Sequence, residues 1–186
     1  MTNLTGVEHY TYDDYVKWDG DWELIFGTAF AMAPAPVKKH QNLNVKITTQ
    51  LEEYFEECSR CEVLIEEDYK ISDDTVIRPD IAVVCDDLNE TYISKAPEII
   101  VEILSPSTAK RDEKVKFELY EFEKVKYYIL VYPDDLKAKI FKHNGDRFVK
   151  EGDFLDEVYG FKDLECEAKI DFNRVFRKYR KNKRDI

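Results

Sequence analysis

No stretch of this chain approaches the ~18 consecutive apolar residues that a membrane-spanning helix needs. Its opening residues, MTNLTGVEHYTYDDY, lack the basic and apolar regions of a secretory leader. A soluble cytoplasmic protein with no membrane partner is the expectation. Glycine is scarce, at six residues in 186, while aromatics reach 13%, which excludes collagen-like, linker-like and disordered chains. Cysteine is sparse as well. Cys58, Cys61, Cys85 and Cys166 do not form the dense framework of a disulfide scaffold and are expected as thiols in a reducing compartment. Basic charge is outweighed, 28 Lys and Arg against 39 Asp and Glu, and the net −11 argues against gripping a polyanion over the whole surface. Any nucleic-acid contact must therefore be local. Also missing are a glycine-rich phosphate loop, GxSxG, HExxH, internal repeats and low-complexity segments.

What is present fits one domain over residues 1–186, 44% hydrophobic, with a basic helix or tail at about 171–186. Thr11 is a candidate N-cap for a short helix over 11–18. WELIF and TAFAM, joined through Gly27, read as a hairpin that Pro34 and Pro36 stop. Leu43, Ile47, Leu51, Tyr54 and Phe55 recur at helical spacing and predict a long helix over 37–58. Strands are expected at 62–71, 75–85 and 98–104. A helix over 112–124, with Val115, Leu119 and Phe122 as its apolar stripe, then leads to the strand YYILVY at 127–132. Strand, helix and strand in that order suggest a crossover. A hairpin around Asn144 and Gly145 and a basic C-terminal helix complete a mixed α/β chain.

Two carboxylates stand where strand physics does not want them: Asp80 within VIRPDIAVVC and Glu102 within IIVEIL. Burying either costs several kcal/mol unless a cation or hydrogen-bond donors answer it. A divalent cation such as Mg²⁺, which takes one or two carboxylates together with water and phosphate, is one answer. An ion pair with Arg78 or a lysine is the other. Cys58 and Cys61 form a lone CxxC without a second pair at zinc spacing, and twelve tyrosines suit either base stacking or a sheet core.

The segments RPDIAVV, APEIIVEILSPSTAKRDEKVKFELYE, KYYILVYP and WELIFGTAFAMAPAPVKKHQ resemble the Uma-type restriction-endonuclease family of the PD-(D/E)XK nuclease superfamily, over about residues 12–150. The resemblance implies a restriction-endonuclease-like fold, a central mixed sheet flanked by helices, and metal-dependent hydrolysis of DNA; one site per chain cuts one strand, so double-strand cleavage would need a homodimer. It implies that Asp80, Glu102 and the Ile103 carbonyl bind Mg²⁺ or Mn²⁺. The superfamily lysine two residues after the acid is replaced by Leu104, and the resemblance moves that role to Lys116, with Lys114 as the fallback. Such a lysine would hold the attacking water and offset charge on the phosphate. Read without the family, Lys116 is equally a solvated helix lysine beside Asp112 and Glu113.

Glu23, His40 and Tyr120 are accessory candidates by the same resemblance. Glu23 completes an acidic cluster or forms a cross-strand salt bridge, and His40 faces the site or is a structural histidine on the apolar face of its helix. Ser105, Ser107 and Thr108 offer hydroxyls to a phosphate or to a helix end. The 13 residues from Arg174 onward hold seven basic residues, which leaves the rest of the chain at net −17. Arg177, Lys178, Arg180 and Lys181 are candidate phosphate contacts, or simply complement a helix C-terminus. A nucleic-acid or protein interaction module that keeps the nuclease fold without turnover remains the alternative.

Overall fold

The computed structural model describes residues 8–32 and 37–182, the side chains of 181 and 182 excepted; Pro34 and Pro36 lie outside the described residues. A short helix α1 (Tyr12–Tyr15) starts where Asp14 reaches back to accept the Thr11 N–H at 3.1 Å. β1 (Trp22–Ile25) and β2 (Thr28–Ala31) form the expected hairpin, turning through Phe26 and Gly27 at φ of 49° and 72°. This is the left-handed backbone that a two-residue hairpin turn requires. Glycine is needed there for a second reason: a Cβ on Gly27 would lie 2.1 Å from the His9 ring. The hairpin belongs to a four-stranded sheet, ordered β2-β1-β5-β4, with β4 (Tyr69–Ser72) and β5 (Thr75–Ile77).

The main sheet has six strands, ordered β10-β9-β8-β7-β6-β3: β3 (Cys61–Ile65), β6 (Ile81–Cys85), β7 (Ile99–Ile103), β8 (Tyr127–Tyr132), β9 (Lys137–His143) and β10 (Phe148–Phe154). β7 and β8 run parallel and the other neighbouring strands antiparallel, so the crossover and the late hairpin stand as expected. Alternate residues of the central strands feed two cores. Ile81, Val83, Ile99, Val101, Ile129 and Val131 pack with Leu43, Ile47, Leu51 and Phe55 of α2 (Lys38–Phe55). Ala82, Val84, Ile100, Tyr128 and Leu130 face the other side, with Leu119 and Tyr120 of α3 (Phe117–Phe122). A sheet covered on both faces accounts for the near-continuous apolar runs in the sequence. β11 (Val158–Phe161) and β12 (Ala168–Asp171) form a separate ribbon, and α4 (Phe172–Asn182) closes the α2 side through Phe172, Val175 and Phe176.

Several expectations are corrected. The predicted strands 62–71 and 75–85 each break and serve both larger sheets, the first at Glu66, which has a left-handed φ of 51°, the second at Arg78-Pro79-Asp80. Proline donates no ladder hydrogen bond, and so a strand ends there. Tyr54 is exposed rather than part of the α2 core face. α3 is preceded by a π-helical turn over Arg111–Lys116, and this wider turn changes the inward face: Lys116, Leu119 and Tyr120 are buried, while Val115 and Phe122 are 38% and 81% exposed. The cysteines are not thiols. Cys61 and Cys85, opposite each other on β3 and β6, form one disulfide, and Cys58 and Cys166 form another. No helix among the described residues is long and apolar enough to cross a membrane.

Candidate active site

The break before β6 places Asp80 beside the end of β7. Its Oδ2 accepts the Ile103 N–H at 2.6 Å, and its own carbonyl accepts from Asn44 of α2. Nε2 of His40, also on α2, lies 3.2 Å from the same Oδ2, while His40 Nδ1 is buried without a hydrogen-bond partner among the described residues. Glu102, one residue before Ile103, points to the opposite face of the sheet. Its Oε1 accepts from Lys116 Nζ at 2.9 Å and from the Tyr120 hydroxyl at 3.0 Å. Lys116 is also 2.7 Å from Glu23 Oε1, 3.3 Å from the Arg78 carbonyl and 3.7 Å from Asp112. Arg111 Nη1 reaches Glu23 Oε2 at 2.9 Å. The π-helical turn makes this convergence possible, since residues five apart, such as Arg111 and Lys116, come round to one side.

These groups line one cavity of about 430 Å³ that also takes in Lys39 and residues 104–108. Asp80, Glu102, Ile103, Lys116, Glu23 and His40 are brought together in its wall, and Tyr120 stands behind Glu102. Lys116 is buried, not a solvated helix lysine, and Lys114 is exposed. Glu23 stands opposite Phe30 on β2 and, among the described residues, makes no cross-strand ion pair; it joins the acidic cluster. Arg78 pairs with Asp68 and Asp21, each at 2.8 Å, and not with Asp80 or Glu102. Ser105, Ser107 and Thr108 bond one another and cap their own turn, as in the helix-end reading. On α4, Arg177 and Lys178 are exposed, Arg180 bonds the Leu155 carbonyl and lies 3.7 Å from Asp156, and the Lys181 side chain is outside the described residues.

The electrostatics are those of a crowded acidic pocket. Burial pushes the Glu102 carboxyl well above the usual range, against Lys116 and with help from Asp112, Asp80 and Glu23. Burial likewise raises Asp112. Glu23 is held low: Lys116, Arg111 and the Arg78 N–H together outweigh its burial. Burial would pull Lys116 down, but Glu102, Glu23 and Asp112 hold it well above the usual lysine range, so it stays charged. His40 follows the same pattern, with Asp80 outweighing burial.

A model of the Uma2 family, described as "Putative restriction endonuclease", matches residues 11–168. The chain belongs to the Uma2 family. An uncharacterized protein of Synechocystis is 28% identical over 153 residues, 77% of this chain and 76% of that one. Among solved structures, one from Anabaena variabilis titled as a "putative nuclease belonging to DUF820" superposes with a TM-score of 0.71 at 17% identity, covering 90% of this chain and 97% of its own. At that identity the likeness concerns the fold, a mixed α and β nuclease-like architecture.

Whether this Uma2 chain suits a metal is decided by its donors. Among the described residues, no group of three or more His, Cys, Asp or Glu side chains stands ready to hold an ion, because Glu102 and Glu23 are turned to Lys116. Two carboxylates and a peptide oxygen, completed by water and phosphate, nonetheless suit Mg²⁺, which seldom uses an all-protein cage. Of these, the Asp80 carboxylate is half-buried at the wall, with His40 Nε2 3.2 Å from its Oδ2. The donor set therefore fits a hard divalent ion. Sequence reasoning missed Arg111 and Asp112 as members of this Uma2 site. Their only signal was position, one turn before Lys116, and an α-helical reading of 112–124 gave no cause to turn both inward.

Proposed function

We propose that this protein is a metal-dependent endonuclease that hydrolyses DNA phosphodiester bonds, using Mg²⁺ or Mn²⁺ held by Asp80, Glu102 and the Ile103 carbonyl. The observation that carries this reading is the meeting of Lys116 with Glu102, 2.9 Å apart in one cavity with Asp80, as the family resemblance requires of a chain whose ExK lysine is absent. The bound ion would supply an acidified water and offset charge on the phosphate. Lys116, fully charged, acts as an electrostatic clamp on the attacked phosphate and not as a base. Glu23 and Tyr120 hold the two sides of that clamp: Glu23 aligns the ammonium, and the Tyr120 hydroxyl fixes the Glu102 oxygen that faces it. His40 orients Asp80 from the other side. One such site cuts one strand, so cleavage of a duplex at both strands calls for a two-fold dimer.

A second reading draws on the absence, among the described residues, of a ready three-ligand group: an interaction module that binds nucleic acid or protein without turnover. The test is incubation of the parent with labelled single-stranded, duplex and branched DNA in Mg²⁺, Mn²⁺ or EDTA. Cutting that needs the metal supports the nuclease. Binding on the same panel without cutting under any condition overturns it in favour of the module.

A further inference from the structure

We propose that the exposed seam between α2 and α4 is a phosphate-backbone track, built by Lys46, Arg177 and Lys178 and joined to the mouth of the cavity by Lys39, that guides a nucleic-acid strand to the site. The inference rests on the nucleic-acid reading above and adds to it the surface the strand follows.

The two helices lie antiparallel. Arg174, early in α4, pairs with Glu53 near the end of α2 at 2.9 Å, Lys46 Nζ donates to the Arg174 carbonyl at 3.0 Å, and Tyr179 donates to Asn42 at 2.8 Å. Lys39 follows, 5.5 Å from the Tyr179 ring and in the cavity wall. From Lys46 to Lys39 is two helical turns, about 10 Å, or roughly three base steps at ~3.4 Å each. The cations of this seam divide into two groups. Arg174, Arg180 and Lys39 have acids beside them, Glu53, Asp156 and, at 3.3 Å, Asp134. Lys46, Arg177 and Lys178 form no ion pair among the described residues, and together with burial the latter two hold the Lys46 ammonium below the usual lysine range. A chain of net −11 thus keeps three mutually repelling cations together, an arrangement that a polyanion relieves. A lipid surface is disfavoured, because Phe172, Val175 and Phe176, the apolar face of α4, are wholly buried in the core, and an isolated exposed Val45 on α2 makes no apolar face to insert.

The test measures binding of fluorescein-labelled single-stranded and duplex oligonucleotides in EDTA, across a salt series, for the parent and for Lys46→Gln/Arg177→Gln/Lys178→Gln. Each phosphate contact contributes about 0.7 to 0.9 to the slope of log K against log salt. The triple variant should lose about 2 to 3 from that slope and bind at least tenfold more weakly at low salt, whereas Arg177→Lys/Lys178→Arg should keep the parent slope. An unchanged slope in the triple variant overturns the track, as does a parent that binds phosphatidylserine vesicles but no oligonucleotide. The nuclease reading is separated by Asp80→Ala and by turnover. A slope that falls in the triple variant while the parent cuts nothing upholds the track without the nuclease. Cutting by the parent with an unchanged slope upholds the nuclease without the track.

Discussion

Replacing Lys116 by methionine keeps most of its volume and removes the cation on which the buried acids depend. Lys116 is 4% exposed, 2.7 Å from Glu23 and 2.9 Å from Glu102, with Asp112 at 3.7 Å. Removing one partner of such a buried pair costs about 3–5 kcal/mol, because a charge is left uncompensated. For a domain of this size that lowers Tm by about 6–20 °C. The sign of the pH dependence follows from the parent. Lys116 is raised, so its stabilisation is whole below about pH 10 and is lost only as pH climbs through the raised value. Glu23 is lowered, so its share is present above about pH 4.3 and is lost as pH falls through the lower folded value. In Lys116→Met the carboxylates lose their cation and must protonate or repel. The deficit against the parent should therefore be largest near pH 8 and shrink toward pH 5. Thermal unfolding of both proteins at the two pH values measures it. A variant as stable as the parent at pH 8, or a deficit that grows on acidification, refutes the reasoning.

Tyr120→Phe removes the 3.0 Å hydrogen bond to Glu102 in a fully buried setting and should cost about 1–3 kcal/mol in urea unfolding, with its largest effect where Glu102 is ionised. Gly27→Ala forces a side chain onto a φ of 72° and into the His9 ring, for a loss of about 1–3 kcal/mol; His9→Ala in the same chain should restore only part of it, since the backbone strain remains. Cys58→Ser/Cys166→Ser opens a loop of 108 residues and should lower stability by about 2–4 kcal/mol; dithiothreitol, which opens Cys61–Cys85 as well, should lower the parent at least as far. An unchanged urea midpoint in the double variant would mean that this disulfide contributes nothing to the fold.

Elements whose evidence is local were legible in the sequence. The α2 period, the Gly27 hairpin, the parallel β7 to β8 crossover and the Asn144-Gly145 hairpin follow from apolar spacing and turn chemistry within a few residues. Features that depend on distant partners were not. Whether residues 62–71 make one strand or two depends on a left-handed Glu66 that no propensity demands. The Cys61–Cys85 pairing needs the register of β3 on β6, and the Cys58–Cys166 pairing needs the ribbon of β11 and β12 to lie beside α2. At the site, Asp80 and Glu102 stood out because an acid in an apolar run calls for an answer. Lys116 came only through the family resemblance, and its burial depends on a π-helical turn that local patterning does not encode. Arg111 and Asp112 look like surface charges in the sequence for the same reason.

If the protein hydrolyses DNA as proposed, Asp80 in the cavity wall is needed for turnover and not for binding. The parent and Asp80→Asn are compared on one labelled duplex in Mg²⁺, with binding followed in parallel. Asp80→Asn keeps an acceptor for the Ile103 N–H but loses the charge that would hold the proposed ion. Unimpaired binding with turnover abolished is the predicted result; cutting at the parent rate would contradict the assignment.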